Sequence, residues 1–127
     1  MDFQKINDVY KIILDKCELD KSWRWMSPDT LEAFDWLIDE INEAKEEYNN
    51  KKQVYLEDEL WDVLWTVLRI IELIHQEWFI DKNRILERIE KKFSKRTYGL
   101  RDWLKWADIK KEQKIELKKE QDLLDNL

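Results

Sequence analysis

Leu56 to Trp78, LEDELWDVLWTVLRIIELIHQEW, is the longest apolar stretch in a chain of 127 residues. Apolar side chains occupy most positions between Leu60 and Ile74, far more than the single stripe of an ordinary surface helix. One polar line interrupts them, at steps that keep it on one side of a helix: Glu59, Asp62, Thr66, Arg69 and Gln76. We expect a central helix that is buried on most sides and has one polar edge.

The segment before it, Leu37 to Tyr48 (LIDEINEAKEEY), predicts a second amphipathic helix with an acidic edge. Glu40, Glu43 and Glu47 follow one another at steps of three and four residues beside the apolar positions. The short connection that follows favours antiparallel packing of the two helices. The pair Glu40/Glu43 can then face the pair Glu59/Asp62.

Four carboxylates at close range predict a cation site. Like charges repel, and partial burial raises that cost, so the group either takes up protons or binds a cation. Oxygen ligands without His or Cys are typical of Mg²⁺, with Mn²⁺ as the usual substitute. Such a site can activate water and neutralise a leaving pyrophosphate.

Three successive motifs resemble those of the MazG-type all-α nucleotide pyrophosphohydrolases. Glu40-x-x-Glu43 followed by Glu59-x-x-Asp62 is similar to the ExxE and ExxD signature of that family. The flanking residues and a later Lys-x-x-x-Arg also match, and they occur in the family's order: Leu37 to Glu43, Asp58 to Leu64, and Lys92 to Arg96. The resemblance spans about Cys17 to Arg96. Two positions depart from it: Trp61 stands where the family usually has Gly, and Trp23 and Trp25 only loosely match its N-terminal loop.

The resemblance implies an Mg²⁺-dependent hydrolysis of nucleoside triphosphates to monophosphates and pyrophosphate. It implies metal binding by Glu40, Glu43, Glu59 and Asp62, with Glu40 or Glu43 also acting on the attacking water. It further implies that Lys92 and Arg96 bind phosphate. Trp36 and Trp65, each near a carboxylate pair, are candidates to stack on the base, and Trp23 and Trp25 are weaker ones.

Composition favours an all-α fold and disfavours several functions. The chain has one Gly and one Pro, and a net charge of −6 argues against general nucleic-acid binding. The single Cys17 permits no internal disulfide, and charged residues interrupt the apolar stretch, so we expect a cytoplasmic protein without a membrane span. The central helix has more apolar surface than four modest helices can cover, which favours a homodimer or homotetramer formed through the central helices.

The predicted architecture is a single all-α domain, an antiparallel bundle of about four to five helices. The core runs to about residue 107, and residues 108–127 form a charged C-terminal helix or tail. Leu19 to Met26 is predicted to be a loop, and Ser27-Pro28-Asp29 to start the second helix. Asp81 or Asn83 should cap a fourth helix that ends at Tyr98-Gly99, with a fifth helix starting at Leu100.

Two alternatives stay open. The acids could form an ordinary solvated face of a non-catalytic helical interaction module, which would show no response to divalent ions. Within the enzyme class, the scaffold also resembles dimeric dUTP- and dCTP-hydrolysing enzymes and phosphoribosyl-ATP pyrophosphohydrolase. A nucleotide panel separates these activities.

Overall fold

A computed structural model describes residues 1–22 and 29–127 of the chain. Within these residues the backbone forms five α-helices, one short 3-10 helix and no strand, which confirms the predicted all-α class. The α-helices are α1 (Phe3–Ser22), α2 (Thr30–Asn50), α3 (Gln53–Gln76), α4 (Lys82–Gly99) and α5 (Trp106–Asp125). They group into two compact units, Met1–Ile80 and Asp81–Leu127. The single-domain organisation stays a prediction.

A two-residue connection joins α2 to α3 in the first unit. Lys51 adopts a left-handed backbone conformation (φ 56°), and its N–H donates to the carbonyl of Tyr48 at 3.2 Å. The N–H of Lys52 donates to the carbonyl of Glu47 at 3.3 Å. These bonds satisfy carbonyls of the last turn of α2, and the short connection makes α2 and α3 an antiparallel hairpin.

Helix α1 packs against α3 and completes the core of this unit. Ile13 is fully buried and Cys17 is 2% exposed, so both belong to the core of this unit. The Tyr10 hydroxyl donates to a carboxylate oxygen of the buried Glu72 at 2.6 Å. Both apolar packing and a polar contact therefore fix α1 on α3.

The end of α1 corrects one prediction. Leu19 to Ser22 continue the helix instead of beginning a loop. Asp20 explains the difference, because it is 5% exposed and pairs with both Lys16 and Arg69, which holds the last turn against α3. The rest of the predicted loop, which includes Trp23 and Trp25, lies outside the described residues, and so do Ser27 and Pro28 of the predicted helix start. Helix α2 begins at Thr30.

The second unit consists of α4, a 3-10 turn at Leu100–Asp102, and α5. The predicted cap is present, since the Asp81 carboxylate accepts the N–H of Asn83 at 2.9 Å. Helix α4 ends at Gly99 as predicted. The predicted start of α5 at Leu100 is wrong, because Trp103 is left-handed (φ 60°) and interrupts the helical path until Trp106.

The hairpin leaves one apolar face uncovered, which we call the apolar stripe. On α2 it consists of Phe34, Ile38, Ile41 and Tyr48, whose side chains are 42% to 59% exposed. Ile41 and Tyr48 line a cleft of about 570 Å³ with Leu56, Leu60 and Val63 of α3. Across the described part of the chain, no helix is both long and apolar enough to cross a bilayer.

Candidate metal centre

The hairpin brings the two predicted carboxylate pairs together. Glu40 and Glu43 of α2 and Glu59 of α3 each offer a carboxylate oxygen, and these three oxygens lie within 4.8 Å of one another. Asp58, Glu59 and Asp62 form a second trio that meets the same limit. The two trios share Glu59, so the four predicted ligands belong to one cluster, which we call the carboxylate cluster.

Burial and mutual repulsion disfavour the ionised forms of these acids. Burial, followed by the charges of Glu43 and Asp62, raises the pKa of Glu40 from 4.5 to about 7. Burial and neighbouring acids also raise the pKa of Glu59 and of Asp62. Near neutral pH Glu40 therefore keeps its proton more readily than an isolated carboxylate does, or exchanges it for a cation.

The donor set fits a metal ion. Among the described residues, Oε2 of Glu40 and Oε2 of Glu59 are buried and have no hydrogen-bond partner. An ionised carboxylate offers only acceptors, and a buried acceptor without a donor or a cation is costly. Oxygen-only ligands from two facing helices suit a hard divalent cation. The carboxylate cluster therefore offers the ligand atoms that such an ion requires.

Two further acids of α2 and α3 were not predicted as ligands. Asp58 directly precedes Glu59 and belongs to the second trio. Glu47 lies one turn beyond Glu43, and its Oε2 is also buried without a hydrogen-bond partner among the described residues. The three-and-four spacing along α2 was the signal for Glu47.

The two predicted stacking residues lie on different helices. Trp36 of α2 is 43% exposed, and the guanidinium carbon of Arg69 lies 5.9 Å from the centre of its ring system. Trp65 of α3 is half-buried. Trp36 is thus the more accessible of the two aromatic candidates.

Lys92 and Arg96 lie in the second unit, on α4. Arg96 is 6% exposed, and its Nε donates to Gln113 of α5 at 2.6 Å, while the Gln113 amide donates to the carbonyl of Lys92 at 3.1 Å. The Arg96 guanidinium carbon also lies 5.6 Å and 5.5 Å from the ring centres of Phe93 and Trp106. Arg96 therefore joins α4 to α5, and phosphate binding by Lys92 and Arg96 stays a prediction.

The described residues thus define an all-α protein with an oxygen-only acidic cluster on two antiparallel helices, which offers ligands for a metal ion. The sequence model of the MazG nucleotide pyrophosphohydrolase domain matches residues 28–99, which is more than half of the chain. The chain belongs to the MazG nucleotide pyrophosphohydrolase family, whose members are typically metal-dependent hydrolases. A search of curated proteins and a search of solved structures each returned no match. The family match thus supports nucleotide pyrophosphohydrolysis as the general activity.

Proposed function

We propose that the protein is an Mg²⁺-dependent nucleoside triphosphate pyrophosphohydrolase, which converts a ribo- or deoxynucleoside triphosphate and water to the monophosphate and pyrophosphate. The observation that carries this proposal is the carboxylate cluster, whose buried acceptors face one another across the hairpin of a MazG domain. Glu40, Glu43, Glu59 and Asp62 would hold Mg²⁺, with Mn²⁺ as a substitute.

The bound ion would supply charge neutralisation for phosphate oxygens and a lowered pKa for bound water. Glu40 and Glu43 act beside it on the attacking water. One of these two carboxylates would accept the proton of the attacking water.

The residues that bind the phosphates, and the identity of the base, are proposed in less detail. Lys92 and Arg96 remain the proposed phosphate ligands, and their charge suits oxygen atoms of a triphosphate. A nucleotide is the substrate class that the family supports. Activity toward dUTP, dCTP or phosphoribosyl-ATP is included in this class.

The proposal includes a homodimer, or a tetramer built from such dimers. The apolar stripe continues across Leu60 of α3, which is 53% exposed, and most of the side chains that line the adjoining cleft are apolar. A contiguous apolar face of this kind is unusual on a monomer and typical of a subunit contact. A second copy of the chain, placed hairpin against hairpin, would cover it with an equivalent surface.

The decisive assay measures pyrophosphate release from the eight common ribo- and deoxynucleoside triphosphates and from phosphoribosyl-ATP. Each reaction is run with Mg²⁺, with Mn²⁺ and with EDTA. We expect metal-dependent release that Glu59→Gln abolishes. Glu57→Gln, the same change two residues earlier on α3, is the control, because Glu57 is exposed and outside the carboxylate cluster.

The release assay and a thermal melt recorded with and without Mg²⁺ together test the alternative function. No release from any substrate, together with a melting temperature that Mg²⁺ leaves unchanged, would exclude the metal-dependent enzyme. A non-catalytic helical interaction module would then be the better description. Metal-dependent release that survives Glu59→Gln would instead place the activity at other residues.

A further inference from the structure

Helices α4 and α5 of the second unit share an apolar face that lies open. The rings of Phe93 on α4 and Trp106 on α5 have centres 6.3 Å apart, yet these side chains are 42% and 39% exposed. Ile89 and Leu117, each 48% exposed, belong to the lining of a cleft of about 310 Å³ that residues of the same two helices form. We call these four residues the α4–α5 face.

Two helices are too few to enclose this face. Within residues 81–127 the buried positions are four, and they lie where α4 meets α5: Arg96, Gly99, Ile109 and Gln113. In stable bundles a helical hairpin is covered by further helices, and an exposed apolar patch marks a site of protein contact. Helix α5 lies outside residues 28–99, so the MazG domain alone does not form this face.

The charges that border the α4–α5 face differ between its two edges. Glu90 lies three residues before Phe93, on the edge of α4 that points away from α5. Lys114 lies three residues before Leu117, on the edge of α5 that points away from α4. Both are exposed, and the ion pairs of the described residues include neither. The face thus has one acidic and one basic edge, each open to a partner.

A second copy of the same hairpin matches both the apolar face and its edges. When two hairpins pack face to face with α4 of one against α5 of the other, each acidic edge meets a basic edge. Packing of α4 on α4 would bring Glu90 close to its own copy, which like-charge repulsion disfavours. The charges therefore favour a four-helix arrangement in which Glu90 of one chain lies near Lys114 of the other.

We propose that the α4–α5 face is a second self-association surface, through which two dimers join into a tetramer. The proposal rests on the homodimer formed through the apolar stripe. Two such dimers can share two α4–α5 contacts at once, and the second contact then forms at a high effective concentration. Two monomers can share one contact, which gains nothing from this effect. Loss of the apolar stripe should therefore give monomers, whereas loss of the α4–α5 face should give dimers.

The first experiment compares Leu86→Glu with Ile115→Glu. Leu86 lies one turn before Glu90 on α4 and is 69% exposed, so its replacement adds a charge beside the α4–α5 face without disturbing a buried contact. Ile115 is 50% exposed on the opposite side of α5 and is the matched control. Size-exclusion chromatography with light scattering should show tetramers for the wild type and for Ile115→Glu, and dimers for Leu86→Glu. A wild-type dimer, or a tetramer that Leu86→Glu leaves intact, would overturn the proposal.

The second experiment exchanges the charges of the two edges. Glu90→Lys and Lys114→Glu should each raise the dimer–tetramer Kd about tenfold in sedimentation equilibrium, because each places like charges opposite one another. The double variant Glu90→Lys/Lys114→Glu should return the Kd to within about threefold of the wild type. Lys111→Glu, an exposed position two residues after the buried Ile109 and thus on the far side of α5, is the control. A double variant that associates more weakly than either single variant would refute the pairing of α4 with α5.

Molar mass and hydrolysis together separate this proposal from the proposed function. A wild-type dimer that hydrolyses nucleotides would reject the α4–α5 contact and leave the enzyme and the apolar stripe standing. A tetramer that Leu86→Glu divides into dimers, in a protein that hydrolyses nothing, would leave the contact standing without the enzyme. A monomeric wild type would reject both self-association surfaces.

Discussion

Replacing Glu40 with Gln should make the metal-free protein more stable at alkaline pH. The pKa of Glu40 is about 7 in the folded chain, above its ordinary value of 4.5, because burial and neighbouring acids disfavour its charge. Folding therefore favours the protonated form. The stability contributed by this preference is fully present below about pH 4.5 and is lost as the pH rises through about 7.

The size of the effect follows from the difference between the two pKa values. At about 1.4 kcal/mol for each pH unit, the full difference corresponds to about 3 kcal/mol. Glu40 is only half-buried, so solvent screening reduces the expected effect to about 1–2 kcal/mol. Gln cannot ionise, and in EDTA near pH 8 Glu40→Gln should gain about this amount over the wild type.

Excess Mg²⁺ should make the wild type more stable than Glu40→Gln. A ligand that binds only the folded state adds RT ln(1 + [L]/Kd), which is about 2.7 kcal/mol when its concentration is a hundred times Kd. The wild type should gain this stabilisation, and Glu40→Gln, which lacks one ligand, should lose most of it. The assay is urea unfolding followed by far-UV circular dichroism at fixed protein concentration, near pH 5 and near pH 8, in EDTA and in Mg²⁺.

Glu46→Gln is the matched control, since Glu46 is exposed on the same helix and outside the carboxylate cluster. The free energy of unfolding of Glu46→Gln should match that of the wild type at both pH values, in EDTA and in Mg²⁺. The reasoning is refuted if Glu40→Gln is no more stable than the wild type in EDTA near pH 8. It is also refuted if Mg²⁺ stabilises Glu40→Gln and the wild type equally.

Two further substitutions test the second unit and the apolar stripe. Gln113→Ala removes the acceptor of the hydrogen bond from the buried Arg96 Nε. The free energy of unfolding measured by urea titration should therefore fall by about 1–3 kcal/mol. A fall of less than about 0.5 kcal/mol would contradict a stabilising role for this hydrogen bond. Ile38→Glu places a charge on the apolar stripe, where the wild-type side chain is 57% exposed, and should convert the dimer to monomers in size-exclusion chromatography with light scattering. A monomeric wild type, or an equally dimeric Ile38→Glu, would reject that interface.

Features that depend on local periodicity could be predicted from the sequence. The acids of the carboxylate cluster follow helical steps within α2 and within α3, and a short connection fixes the relative direction of the two helices. The helical spacing and the short connection together predicted that Glu40 and Glu43 would lie opposite Glu59. The Asp81 cap was also predictable from local sequence, because Asp is a preferred residue at the start of a helix.

Features that depend on contacts between distant residues could not be predicted. Asp20 and Arg69 are separated by 49 positions, and nothing near Asp20 in the sequence indicates that it will be buried. The helical path of Leu19 to Ser22 depends on that contact, so it was mistaken for a loop. The late start of α5 depends on the left-handed backbone of Trp103, a conformation that sequence patterns rarely indicate for Trp.

The two-residue connection between α2 and α3 has a kinetic consequence. Glu43 and Glu59 are close along the chain, so bringing them together requires little loop-closure entropy, in contrast to the docking of α1 through Asp20. We expect the hairpin to form early in folding and to acquire its affinity for divalent ions before α1 has docked. An ion bound at that stage would then act as a template for the rest of the first unit.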